Sequence, residues 1–563
     1  MIDPAPTPAE TPLYITSKHI PDFQPTSKDG APEDSCCPED IEKKTLDEDS
    51  SPKNGEREYL TGLKLLFVLS GVTLVCFLVM LDTSIISTAI PRMTSEFHSL
   101  SDIGWYGSSY QMASACLQPL AGRVFFNFNT KWTFMGFFFV FELGSLLCGI
   151  ANSSKMFIIA RAVAGMGSAG LMNGALTIIS SCVPLPKSPP LIGIMMGFSQ
   201  LGTIGGPLLG GAFTDLLEGF YINLPVGALV AIFLSFIKIP DQVAKPSIRL
   251  ALDTILHKLD LIGFVLFSPA ALQLLLALEY GKNNNSWGSA TVIGLFSGAA
   301  ATFIVFLLWE HRQGDRAMIP LRMVAKTQVW SSCIVIMAIF AIVLCSSYYL
   351  PIYFQAIKND SPTMSGVSTL PGILSQLLVA VASGVLIGKM GYYLPWTIFG
   401  GVSTSIGSGL LSTLNPGTHI GKWVGYQILS GAGRGAAFQT PLIAVQNTLP
   451  QAQVSIAMSI LMFTQTLSGA IFLTAASTVF DSGLNSLVPK HAPGVDPQTI
   501  ILAGATGIQN AVSSGDLSGV LVAYSKSVGY VFIMSAALGV LIVVFSFGMG
   551  WKDIRKAKPV PPM

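Results

Sequence analysis

From Leu65 to Gly548 the chain is built of apolar runs separated by short polar connections. A helix needs about 20 consecutive apolar residues to cross a hydrocarbon core about 30 Å thick. Lipid offers no hydrogen-bond partner, so each run must satisfy its own backbone, and in runs of this length that means a helix. The composition agrees, with 51% hydrophobic and 11% charged residues, where a soluble domain carries about 25% charge. A net charge of +1 and the lack of a basic stripe argue against a nucleic-acid partner.

The runs fall at 65–88, 105–124, 132–151, 156–180, 191–213, 220–237, 259–280, 289–309, 329–350, 366–388, 393–413, 423–447, 454–479 and 527–549, predicting fourteen crossings. The segment 480–526 is expected to form an outer loop, surface-lying or partly buried. The first 60 residues hold nine prolines among acidic and polar residues, a composition expected to stay disordered. The implied division is a cytosolic tail 1–60, a first six-helix bundle 61–238, a linker with two inserted helices 239–328, a second bundle 329–549 and a cytosolic tail 550–563. Orientation follows from basic residues in the connections. Fifteen, from Lys131 to Lys558, lie on the side shared by both termini and seven on the other, so both ends are expected in the cytosol. The sequons beginning at Asn152, Asn284 and Asn359 all lie on the predicted outer side, as possible glycosylation sites.

Charges at membrane depth are costly, face protein or water, and mark pathways. Asp82, Glu142, Arg161 and Arg434 meet this description, the first three as candidates for proton coupling or transport. Asp82 falls late in its run, where a capping role is the competing reading. Glu142 lies midway along the third run, where a structural ion pair competes. The amides Gln200, Gln439 and Gln465, with Phe463, are candidates to line a substrate cavity, and bonds between helices are the competing role. In the fifth run, Gly202, Gly206, Pro207, Gly210 and Gly211 of GTIGGPLLGG combine close helix approach with a bend, a candidate gating motif for which simple helix packing is the competing reading. The eight cysteines contain no C-x-x-C, and neither a metal nor a cofactor is expected. A phosphate-binding G-x-x-x-x-G-K-[ST] element is also missing, which disfavours ATP drive.

Several of these strings resemble the major facilitator superfamily, specifically its fourteen-span drug:proton antiporter branch with the fungal toxin efflux pumps. GTIGGPLLGG resembles the antiporter motif, LDTSIISTAIP from Leu81 the motif closing span one, and RAVAGMG from Arg161 the family's R-x-x-x-G-x-G element. FELGSLLCG from Phe141, FYINLPVG from Phe220, YYLPIYFQ from Tyr348 and GYQILSGAGRGAAFQTP from Gly425 resemble the fungal branch. Three departures stand out. Phe126 occupies a usually acidic place, LLEG at 216–219 replaces a Trp-Arg-Trp element, and Arg434 stands where a small or polar residue is usual.

The resemblance implies an all-α integral membrane protein, a major-facilitator bundle of 14 transmembrane helices, with Arg161 in proton coupling. It implies no enzyme but an efflux pump, expected as a monomer, whose partners are protons, membrane lipids and a small amphipathic organic compound such as a secondary metabolite, toxin or drug. Glu142 alone is clearly central among the carboxylates, which favours neutral or weakly charged cargo. The plasma membrane is expected, with the vacuolar membrane second. The rival readings are a transporter of basic amino acids, which would want a carboxylate-rich cavity, and a non-transporting receptor.

Overall fold

A computed structural model describes residues 59–97, 102–212, 223–241, 259–283, 287–513 and 515–556. Among these the regular structure is helical throughout. The helices are α1 (Gly62–Phe97), α2 (Ile103–Asn127), α3 (Thr130–Gly149), α4 (Ser154–Cys182), α5 (Ser188–Ala212), α6 (Asn223–Phe236), α7 (Leu261–Asn283) and α8 (Ala290–Gln313). After a single turn at Leu321–Val324 follow α9 (Thr327–Lys358), α10 (Pro362–Met390), α11 (Leu394–Leu411), α12 (Ile420–Phe438), α13 (Thr440–Thr448), α14 (Gln451–His491), α15 (Pro497–Ala511) and α16 (Leu517–Ser546).

Local chemistry sets many of the boundaries. The side chains of Asn129, Ser153, Ser289 and Ser361 accept from Trp132, Met156, Val292 and Met364 N–H, capping α3, α4, α8 and α10. Asn359 and Gly391 close α9 and α10 in the left-handed conformation.

Helices lie at every predicted run, and nine helical segments among the described residues are long and apolar enough to cross a membrane. The shortfall from fourteen has a physical source. Of the five runs not counted, α6 is apolar but has only 14 residues, while α2, α11 and α12 carry Gly, Ser, Thr, Gln or Arg where lipid-facing helices carry Leu and Ile. The largest differences from expectation are at helix ends and at one break. α1 continues to Phe97, α9 to Lys358 and α14 to His491, α16 begins at Leu517 within the expected outer loop, and the twelfth run is divided at Gln439 into α12 and α13, with Pro441 just inside the second piece. The expected outer excursion contains α15, whose Ile500 and Ile508 are buried against the ends of α9 and α14.

The packing repeats. In the first half α1 lies on α5, and α4 on both α2 and α3, with α6 against α1 and α3. In the second half α9 lies on α14, and α12 on both α10 and α11, with α16 against α9 and α11. The halves meet reciprocally, α2 on α14 and α5 on α10. α2, α4 and α5 thus correspond to α10, α12 and α14, the arrangement of an internal repeat. α7 and α8 pack on each other, and α7 also reaches α2 and α14. Glycine permits the tightest crossings: a Cβ on Gly144 or Gly167 would strike the backbone of α4 or α3, and one on Gly431 or Gly435 would strike that of α10.

Candidate functional site

Five helices of the first half bring one charged cluster together. Asp82, the twenty-first residue of α1, is fully buried inside a helix that continues past it, so it is not the interfacial cap its place in the apolar run suggested. Its Oδ2 accepts from Arg161 Nη1 of α4 at 2.6 Å. Arg161 also donates from Nε to the Tyr106 carbonyl at 3.2 Å and lies over the Tyr110 ring, 4.3 Å from its centre. Two residues of α2 thereby complete the arginine's surroundings. On the other side Asp82 Oδ1 accepts from Asn223 Nδ2 of α6 at 3.4 Å, and the same amide reaches Ser145 Oγ of α3 at 3.2 Å. The ion pair is satisfied on every side, which an ion pair shielded from water requires.

Glu142 lies one turn before Ser145 on α3. Both its carboxyl oxygens are shielded from solvent and have no hydrogen-bond partner. Oε1 faces Gly227, one turn after Asn223 on α6, where a Cβ would collide with it. One face of α6 therefore serves both carboxylates, Asn223 toward Asp82 and the bare backbone of Gly227 toward Glu142. Holding a negative charge at an unpartnered buried carboxyl is expensive, and taking up a proton removes that cost. Asn223, Ser145, Tyr106 and Tyr110 were not among the sequence candidates. Asn223 and Ser145 do stand in FYINLPVG and FELGSLLCG, each a polar residue in an otherwise apolar string.

The other candidates are dispersed. Gly202 brings α5 against α1, with its Cβ position 2.6 Å from the Phe77 carbonyl. Gly206, Pro207, Gly210 and Gly211 continue α5 as helix. Gln439 donates from Nε2 to the Ala380 carbonyl at 3.0 Å and to Ser383 Oγ at 3.1 Å, while its Oε1 is unpartnered and faces Gly193 of the opposite half. Gln465 is buried with its Oε1 unpartnered, and Gln200 is half-buried. Phe463 packs edge-on to Phe267 of α7, ring centres 5.0 Å apart. Among the described residues no hydrogen bond joins any two of these four. Asn152 and Asn359 are exposed, but Ser154 of the first sequon is buried and bonded to Asp102 and Tyr106; Asn284 lies outside the described residues.

One of the departures is accounted for locally. Phe126 lies beneath the Arg123 guanidinium, 5.6 Å from its ring centre. The turn between α2 and α3 is anchored by Asp241, which accepts from Asn129 Nδ2, Thr130 N–H and Thr130 Oγ1. Residues 216–219 lie outside the described residues.

A helical bundle of two equivalent halves, with buried charges and amides, defines a membrane transporter of the internal-repeat class. The chain belongs to the Major Facilitator Superfamily, whose pattern it matches over residues 72–473. It is 56% identical over 507 residues to the MFS-type transporter pigP of Monascus ruber, covering 90% of this chain and 89% of that one. It is 50% identical over 508 residues to the efflux pump mlcE of Penicillium citrinum, covering 88% and 92%. Among solved structures it resembles the human organic anion transporter MFSD10 (TM-score 0.56, 13% identity, 86% of this chain and all of that one). It also resembles the proton:xylose symporter XylE (TM-score 0.55, 15% identity, 87% and 98%). These structures share its fold. The family is one of transporters, not of catalysts, and the chain is a multi-pass integral membrane protein.

Proposed function

We propose that this efflux transporter exports small amphipathic organic compounds in exchange for protons, by alternating access between two six-helix bundles. Export of small organic compounds follows from its kinship with fungal efflux pumps along nearly their whole length. Coupling to protons is our reading, and the observation that carries it is the unpartnered Glu142 carboxyl beside a fully satisfied Asp82–Arg161 pair. Asp82, with Arg161 and Asn223 already on its oxygens, ties α1, α4 and α6 together. Glu142 has no such partner and is the group that takes up and releases the proton.

The cycle requires that proton and cargo do not occupy the transporter together. Protonated from the outside, Glu142 is neutral and the bundle can close around it. Facing the cytosol it releases the proton, and cargo binding then drives the return. Arg161 couples these steps by holding α4 to α1 through Asp82. A pH difference supplies about 1.4 kcal/mol per unit, and the membrane potential about 2.3 kcal/mol per 100 mV for each charge moved.

In this reading the chain crosses the membrane fourteen times, and belongs to the drug:proton antiporter branch. Residues 61–238 and 329–549 form the two bundles, 239–328 holds the inserted pair α7 and α8, and both tails are cytosolic. The helices at all fourteen apolar runs and their repeated packing support it. Gly202, Gly206, Pro207, Gly210 and Gly211 let α5 bend against α1 as the outer gate, while Gln200, Gln439, Phe463 and Gln465 line the path. The transporter works as a monomer in the plasma membrane. A carrier of basic amino acids fits less well, because between Asp315 and Asp481 the sequence holds a single acidic residue, Asp360.

The test is efflux from sealed vesicles carrying the purified protein, with a panel of amphipathic compounds and an imposed proton gradient. Export that stops when an ionophore collapses the gradient is expected; export at an unchanged rate contradicts the coupling.

A further inference from the structure

The second half contains a buried cation with no anion of its own. Arg434 of α12 is 5% exposed, its Nε has no hydrogen-bond partner, and among the described residues no carboxylate pairs with its guanidinium. The sequence says why. Every residue from 321 to 480 is described, and Asp360 is the only acidic one among them. It lies in the turn between α9 and α10, where its backbone N–H donates to the Phe354 carbonyl and its carboxylate receives Ser368 Oγ at 3.5 Å. Ser368 in turn accepts, through its carbonyl, from Gln427 Nε2 at 3.0 Å. Asp360 is thus engaged within its own turn and by Ser368, and it makes no ion pair with the guanidinium. In the first half the equivalent helix, α4, carries Arg161, and α1 supplies Asp82. The counterpart of α1, α9, has no acidic residue at all.

The surroundings of Arg434 are shaped for a ligand's group. Gly372 of α10 leaves room where a side chain would stand, with Arg434 Nη2 at 3.5 Å and Gln427 Oε1 at 3.4 Å from its Cβ position. The Gln427 oxygen is also unpartnered. A guanidinium taken from water without a partner is strongly disfavoured, and a carboxylate matches its paired N–H donors in a two-bonded fork. Lysines in this half lie near helix ends, at Lys358, Lys389, Lys422 and Lys490, or exposed on α16, at Lys526, leaving a single buried positive charge that balances a single negative one.

We propose that Arg434 anchors a carboxylate on the cargo, so that the compounds exported are amphipathic organic monoacids. This rests on the export reading above and narrows its substrate class from neutral or weakly charged cargo to monoanions. The cargo completes in the second half the ion pair that Asp82 completes in the first, and the Gln427 amide oxygen accepts a hydroxyl or N–H beside the acid group.

The experiment uses the full chain purified in detergent, with no gradient imposed. Probes are amphipathic carboxylates, naphthaleneacetate and decanoate among them, each paired with its neutral amide, and binding is read by thermal shift and equilibrium dialysis. Wild type is expected to bind at least one acid tenfold or more tightly than its amide. Arg434→Gln should erase that preference while keeping the monodisperse elution and melting behaviour of the folded protein, and Arg434→Lys should keep part of it. Should Arg434→Gln fail to fold, Arg434→Lys and Gly372→Ala, which narrows the space at the guanidinium, carry the test through a reduced preference. Equal binding of acid and amide by wild type, no acid bound from the panel, or a preference unchanged in the variants overturns the proposal. Because no gradient is present, gradient-independent export would defeat the proton coupling and leave this result standing.

Discussion

Arg161 and Arg434 occupy equivalent helices of the two halves and are nearly equally buried, at 1% and 5% exposure. One is surrounded by a carboxylate, a carbonyl and an aromatic face; the other has no ionic partner among the described residues. A buried charge whose partner belongs to the protein acts as a tie, since removing either member strands the other at a cost of about 3–5 kcal/mol. A buried charge without a resident partner adds nothing to stability and waits for one to arrive. The comparison assigns structural coupling to the first half and cargo recognition to the second.

The largest effect that can break this contrast comes from Asp82→Asn. It should lower stability by about 3–5 kcal/mol and reduce efflux at least a hundredfold, read by thermal unfolding in detergent and by vesicle transport. Adding Arg161→Gln should restore much of the stability and none of the transport. Stability unchanged in Asp82→Asn would remove the distinction between the two arginines.

Next is Glu142→Gln, which makes the side chain permanently neutral. Folding should be unaffected, and efflux should fall tenfold or more and cease to respond to the proton gradient. Gly227→Ala should act on the same carboxyl from the opposite helix, because the added methyl collides with Glu142 Oε1. A loss of about 1–3 kcal/mol, the usual range for overpacking, and a severalfold fall in transport are expected. Arg434→Met should, like Glu142→Gln, leave folding intact, with the melting temperature equal or slightly raised, whereas Arg161→Met should lower it. Equal destabilisation by the two would show that Arg434 has a partner within the protein.

Much of this arrangement was legible in the sequence, and what was not has identifiable causes. Asp82, Glu142 and Arg161 are conspicuous because charge inside an apolar run is rare, but Asp82 and Arg161 are 79 residues apart and nothing in their local spacing signals that they meet. Asp82 looked terminal because the apolar run ends near residue 88, whereas α1 itself continues to Phe97. Asn223 was overlooked because a lone amide at the head of a short apolar segment resembles a helix start. The division at Gln439 was hidden because apolar residues continue across it, and hydropathy does not register a change of helix. For Gln200, Gln439, Phe463 and Gln465 composition indicated the type of surface they suit and not their neighbours, and Phe463 packs against Phe267.

Proton movement during export tests the central claim most directly. Protein is reconstituted into liposomes loaded with a pH-sensitive dye and a transported compound, with no initial pH difference, and the internal pH is followed as the compound leaves by the export route. The account predicts proton entry in step with export in wild type, and none in Glu142→Gln vesicles of equal protein content. Export without any proton entry in wild type, or proton entry undiminished in the variant, would contradict it.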